Sequence, residues 1–287
     1  MYYQPISKDQ VLQAREINEV ARFKILASLD RINRMALQGK FWTTESAKIQ
    51  KTNQDGIVNV VMFLSPANET ASDAYTLCFW AKDNGCLPNC IAKQGRLGMP
   101  NGQFAQLWKT AILLLRPEWF RARVVKELKA LVKKHGAENL RVRPDGTSDL
   151  LWDWLVEMFP DVKFYGYTKG LKKIKRNRHK NLSLTFSGSN ANSLVRLRTA
   201  TAIKMGMNVA LALNTGKTKG EWLPPSTHDR LLDMDKQDDR TTDPVGAIGL
   251  LKRKGSNKAT RLAEEGQGFS FFFTQVQLNN LLIETLI

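Results

Sequence analysis

Residues 140–170 read LRVRPDGTSDLLWDWLVEMFPDVKFYGYTKG. Leu140–Val142 is a short strand that runs into the turn residues Pro144, Asp145 and Gly146. Ser148–Met158 then carries apolar residues at helical spacing, with Ser148 suited to the N-cap and Asp149 to the first turn. Lys163–Tyr167 is β-branched and aromatic enough for a second strand. Strand, crossover helix, strand is a parallel βα unit, and the same rhythm continues on both sides. Downstream it predicts a strand at Leu182–Phe186, a helix from Asn192 to Lys204 stopped by Gly206, and a strand at Asn208–Leu213. A further strand, Val245–Leu251, follows a long polar loop. Upstream, Ile57–Leu64 and Tyr75–Trp80 complete the set of strands. Strands at a spacing of about 20 residues predict an α/β fold, a TIM-like (βα) barrel, complete or partial, with an open doubly wound sheet as runner-up. Residues 8–38 predict one long helix, and residues 102–134 are mostly helical with a break at Pro117. The expected division is an N-terminal helical extension, 1–50, and a barrel-like domain, 51–287. No glycine-rich phosphate fingerprint follows any strand, which weighs against a dinucleotide-binding domain.

The chain has 287 residues, of which 43% are hydrophobic and 24% charged, an ordinary balance that excludes a wholly disordered, collagenous or coiled-coil protein. No apolar run reaches the length of a membrane span, and the start, Met1-Tyr2-Tyr3-Gln4-Pro5, lacks a secretory pattern, so a cytosolic protein with no membrane partner is expected. Lys and Arg number 43 against 27 Asp and Glu, a net charge of +16. Such an excess favours a polyanionic partner, nucleic acid first. It is concentrated in Lys169–Lys180, where Lys169, Lys172, Lys173, Lys175, Arg176, Arg178 and Lys180 stand with His179 and no acid. Lys252, Arg253, Lys254, Lys258 and Arg261 form a second patch. A stripe of this kind attracts phosphates; the plainer alternative is a solvated basic loop.

Cys78-x7-Cys86-x3-Cys90 gathers every cysteine of the chain in one segment. Three thiolates on one loop can hold zinc or three corners of an iron–sulfur cluster, with the fourth position open. The alternative is cysteines packed as small hydrophobes, which suits Cys78 best. Chemistry in a parallel βα fold sits at the C-terminal strand ends. That rule nominates Asp145, Asp149, Lys169 and Asn214 to line the mouth, with Asp233. Asp233 and Asp235 open an acidic run that continues through Asp238, Asp239, Arg240 and Asp243. Clustered carboxylates can bind Mg²⁺ or exchange protons, or Arg240 can pair with one of them and make the loop structural. Trp108, Trp119, Trp152 and Trp154 are read as core.

Several stretches together resemble a family of phage and phage-derived proteins, the gene-product-88-like family. They are CLPNCIAKQGR (86–96), LRVRPDGTSDL (140–150), PDVKFYGYTK (160–169), LSLTFSGSN (182–190), residues 208–213 and LDMDKQDDRTTDPVGAIGLLKRKG (232–255). Coverage runs from about residue 75 to 273. Ile91 stands where the family usually has Tyr, Asp145 where it often has Asn, and Thr241 and Thr242 replace apolar residues. The resemblance implies a phage protein acting in the cytoplasm of a bacterial host. The cysteine segment also looks like that of radical-SAM-like barrels, which would imply a [4Fe–4S] cluster used with S-adenosylmethionine, although the C-x3-C-x2-C spacing of that superfamily is not present.

The leading expectation is a nucleic-acid-modifying enzyme acting on DNA or RNA, with a metal or cluster on Cys78, Cys86 and Cys90. Asp145, Asp149, Lys169, Asn214, Asp233 and Asp235 would be its catalytic groups. Lys172, Lys173, Lys175, Arg176, Arg178, Lys180, Lys252, Arg253 and Lys254 would hold nucleic acid. Two alternatives stand beside it: a non-catalytic phage protein binding DNA, RNA or a host protein, and a base-exchange or glycosidic enzyme that uses a carboxylate.

Overall fold

The computed structural model describes residues 2–45, 56–214, 230–236, 238–252 and 272–286. The chain forms two compact units, Met1–Phe79 with Cys90–Phe164, and Trp80–Asn89 with Tyr165–Ile287.

In the first unit the region read as one helix is three: α1 (Lys8–Gln13), α2 (Glu19–Ala27) and α3 (Leu29–Gln38). Caps override the apolar period. Ser7 and Gln10 form a capping box, Asn18 accepts from the Ala21 N–H at 2.8 Å, and Ser28 leaves helical geometry at φ −123°, ψ 17°. Strand β1 (Trp42–Thr43) pairs antiparallel with β2 (Val58–Met62). The long helical region holds α4 (Gly95–Gly98), α5 (Pro100–Leu115) and α6 (Pro117–His135), with the break at Pro117 as expected. These lead to β3 (Leu140–Arg143), parallel to β2 with Val58 opposite Leu140. Helix α7 (Asp153–Met158) then crosses to β4 (Lys163–Thr168), whose Lys163 and Phe164 pair parallel with Arg141 and Val142. Phe41 anchors the core here. Its ring lies 4.9 Å from Trp108 and 5.2 Å from Phe120, both edge-on.

Two expectations fail in this unit. Tyr75–Trp80 is not a strand: it begins in a 3₁₀ turn at Asp73–Tyr75, and Tyr75 and Phe79 are exposed. Its Leu77 backbone is tied across to Ala67 and Asp149 instead of to a strand ladder. The crossover helix starts at Asp153, not Ser148: the Ser148 hydroxyl and the Leu150 N–H both donate to Asp145, which keeps this stretch in a turn.

The second unit contains Tyr165–Thr168 of β4, α8 (Leu171–Arg176), β5 (Leu182–Gly188), α9 (Ser193–Lys204), β6 (Val209–Leu213), β7 (Leu231–Asp233), β8 (Ile248–Lys252) and α10 (Gln275–Leu286). Its strand order is β4-β5-β6-β8-β7, and β6 and β7 both run parallel to β8. Asn192 caps α9 by accepting from the Val195 N–H at 2.9 Å. Phe186, Ile203, Leu211, Ile248, Leu250 and Phe273 pack with Leu278, Leu281 and Leu282 of α10 into one apolar cluster.

The fold is mixed α/β with mostly parallel strands, and the expected barrel is not formed. Among the described residues, the row of strands in the first unit ends at the two-residue, antiparallel β1, and in the second at β7. A barrel has no edge strands. β7 precedes β8 in the chain but lies outside it in the row, so the sequential order that a βα barrel requires is broken. Among the described residues no helix is long and apolar enough to cross a membrane.

Candidate functional site

In the first unit the turn after β3 is built around Asp145, which is 5% exposed. Its Oδ1 accepts from the Ser148 hydroxyl at 2.7 Å and from the Leu150 N–H at 3.1 Å. Arg143 wraps the same turn: Nε donates to the Asp145 carbonyl at 3.1 Å and an Nη to the Gly146 carbonyl at 3.3 Å. A carboxylate committed to a hydroxyl and an N–H holds a loop in place. The Gly146 N–H donates to the Met62 carbonyl at the end of β2. A Cβ on Gly146 would lie 2.5 Å from that carbonyl oxygen and 2.7 Å from the Phe63 ring. Gly146→Ala is therefore expected to lower stability by about 1–3 kcal/mol in a urea melt, through overpacking against backbone that cannot give way. An unchanged midpoint would show that the turn tolerates the shift.

Cys78 lies beside this turn. Its Sγ donates to the Thr147 carbonyl at 3.6 Å, and burial pushes the thiol up to about 12, with Asp149, Asp145 and Cys90 adding to the rise. Burial therefore favours the protonated thiol at neutral pH. Among the described residues none of the three cysteines forms a disulfide; Cys78 and Cys90 belong to the first unit, Cys86 to the second. Among the described residues no group of three or more His, Cys, Asp or Glu side chains is disposed to hold a metal ion.

Sequence reasoning missed Lys109 on α5, which is 4% exposed. Burial lowers its pKa from 10.5 to about 8, against the raising effect of the Glu127 carboxylate. Glu127 accepts from the Phe41 N–H at 2.8 Å and pairs with Arg123 at 3.0 Å. Lysine within an otherwise apolar run, WKTAILLL, was the available signal.

In the second unit Lys169, at the end of β4, donates from Nζ to the Ser187 carbonyl at 2.8 Å and the Ser187 hydroxyl at 3.3 Å. The Asn214 N–H donates to the Phe273 carbonyl. The acidic run is occupied locally. Asp233 accepts from the Asp235 N–H, Asp235 from the Lys252 N–H, and Asp239 from the N–H and hydroxyl of Thr241. Arg240, 2% exposed, pairs with Asp243 at 3.3 Å. This is the structural arrangement weighed for that loop.

The end of β5 holds a group that the sequence flagged only as part of a polar loop. Asn190 is completely buried, and among the described residues both amide atoms lack a hydrogen-bond partner. Each such orphan costs about 1–3 kcal/mol. The basic segment begins just before α8. Lys172, Lys175, Arg176, Arg178 and Lys180 are exposed, and among the described residues none of the five makes an ion pair; Lys173 is half-buried. Arg253, Lys254, Lys258 and Arg261 of the second patch lie outside the described residues, as do Thr215–Lys217.

The two units define an α/β protein of mostly parallel strands, with exposed cations along α8 and buried polar turns at strand ends. A family model, Gene product 88, matches residues 37–266, and the chain belongs to that family. No curated protein and no solved structure matches it.

Proposed function

We propose that this is a phage-encoded nucleic-acid-binding protein of the bacterial cytoplasm that holds the phosphate backbone along α8 and residues 178–180. The observation that carries this reading is the run of five exposed cations from Lys172 to Lys180, unopposed by any ion pair among the described residues. Solvated cations in a row exchange condensed counterions for phosphate contacts, and the net charge of +16 draws a polyanion toward them. The catalytic candidates favour binding over chemistry. Asp145, Lys169, Asp233 and Asp235 already make hydrogen bonds that hold turns and strand ends, and the Cys78 thiol keeps its proton.

The test is the salt dependence of binding to DNA and RNA duplexes and single strands. Replacing Lys172, Lys173, Lys175 and Arg176 by Ala is expected to flatten the slope of log K against log salt by about 0.9 for each lost duplex contact. A slope equal to the parent's would remove α8 from the interface and with it this reading.

A further inference from the structure

Buried amides are nearly always paired, so a completely buried side chain whose donor and acceptor are both unpaired among the described residues points to a bound partner. Asn190 is such a side chain. The second unit holds it firmly in that state. Its neighbour Ser189 donates from Oγ to the Asn84 carbonyl at 3.3 Å, and Asn192 donates from Nδ2 to the Asp83 carbonyl at 3.2 Å. Gly85 closes against the same stretch, since a Cβ on it would stand 3.2 Å from the Ala191 Cβ. The segment Trp80–Asn89 thus lies over residues 189–192. From the other side, the Thr199 hydroxyl of α9 donates to the Ser189 carbonyl at 3.2 Å.

A second observation comes from the same two segments. Arg198, adjacent to Thr199, has its guanidinium 5.2 Å from the Trp80 ring centroid, and one Nη is buried without a hydrogen-bond partner among the described residues. Trp80 is fixed to this corner through Asn84, whose Nδ2 donates to the Trp80 carbonyl at 2.7 Å. The Asn190 amide, the Trp80 ring and the Arg198 guanidinium thus belong to two segments, 80–84 and 189–199, that are hydrogen-bonded to each other through Ser189 and Asn84.

We infer that Asn190 reads the edge of a nucleobase, with Trp80 supplying an aromatic face and Arg198 a charge for the attached sugar-phosphate. An Asn amide presents a donor and an acceptor side by side, the complement of the adjacent acceptor and donor on a base edge. Enclosed pockets that take a single base out of the stack combine this pairing with an aromatic surface. The inference rests on the nucleic-acid reading above but uses none of the residues of α8. Entry requires only that the Trp80–Asn89 segment lift, and the Asn192–Asp83 bond that helps to hold it is exposed.

Calorimetric titration of the full chain with free adenosine, guanosine, cytidine and thymidine tests it. Nucleosides carry no phosphate, so the basic segment contributes nothing to the signal. The parent is expected to bind at least one of them. Asn190→Asp, which keeps the shape and loses the donor, should weaken that binding by about five- to a hundredfold. Asn190→Leu should abolish binding and melt no lower than the parent, because the buried unpaired amide is gone. If Asn190→Asp does not melt cooperatively, Trp80→Leu takes its place with a comparable loss expected. Absence of nucleoside binding by the parent at millimolar concentration overturns the inference, as does parental affinity in the variant tested. The two readings fail separately. A normal salt slope in the α8 variant with nucleoside binding retained faults the phosphate surface alone. A flattened slope without nucleoside binding faults Asn190 alone.

Discussion

Lys109→Met is expected to stabilise the protein by about 3 kcal/mol at pH 7, and that gain is expected to disappear by about pH 10.5. The sign follows from where the proton sits. In the unfolded chain Lys109 titrates near 10.5, whereas in the fold burial brings it to about 8. Between those values the unfolded state binds a proton that the folded state has released, so the parent gains stability as pH rises through the window. Below pH 8 both states are charged and the full desolvation penalty is present. Met fills a similar volume without that penalty. Glu127 loses a nearby cation but keeps the Phe41 N–H and Arg123. Urea midpoints of parent and variant at pH 7, 8.5 and 10 check the prediction. Cys78 acts in the opposite direction above pH 9, since its thiol is pushed up, but it is common to both proteins and cancels in the difference. A difference that stays constant with pH would show that Lys109 is not deprotonated in the fold.

Arg240→Met should cost about 3–5 kcal/mol at pH 7, because it leaves a buried carboxylate without its cation. The Asp243 side chain is 4% exposed, and its pKa is raised by burial, lowered by Arg240 and raised again by Asp239. Removing the lowering partner lifts it further. An acid whose folded pKa lies above its unfolded value favours the folded state at low pH and disfavours it as pH rises. The deficit of the variant should therefore shrink between pH 7 and pH 4.5. Adding Asp243→Asn to Arg240→Met should recover most of it, since the carboxylate that lost its cation is no longer charged. A loss below 1 kcal/mol, or one indifferent to pH, would mean that the pair is solvated.

Much of the architecture was legible because the βα rhythm is local. β3, β4, β5, β6 and α9 fall close to where the Val-, Phe- and Leu-rich runs and the Asn192 cap place them. What the period could not convey was the order of strands. The open row depends on β7, three residues long, pairing outside β8, and a segment so short leaves no alternation to read. The helical region 8–38 misled for the converse reason: the apolar spacing persists through Asn18 and Ser28, but the caps there cut it. Tyr75–Trp80 has strand composition, yet its Leu77 backbone is committed to loops, a long-range fact absent from any local window.

The candidate site divides along similar lines. Charge is additive and visible in a string, so the basic segment was found, and Arg240 was recognised as a partner for the surrounding acids. The protonation of Cys78 and Lys109 and the isolation of the Asn190 amide depend on how completely water is excluded, which composition does not encode. Asp145 shows the limit most clearly. Its position at a strand end suggested chemistry, while the bonds from Ser148 and Leu150 make it the keystone of a turn.

The second unit borrows Trp80–Asn89 from the middle of the first unit's chain and resumes only at Tyr165. During synthesis that borrowed segment leaves the ribosome first and must wait while residues 90–164 are made, about 4–15 s at ordinary elongation rates. Once residue 164 is made the first unit has its whole complement of residues, whereas the borrowed segment still lacks the residues from Tyr165 onward that complete the second unit. Translation thus imposes an order of assembly, with the covering of Asn190 among the last events. The same interleaving means that no single cut in the chain leaves both units whole: a cut after Phe164 keeps the residues of the first unit together but takes Trp80–Asn89 from the second.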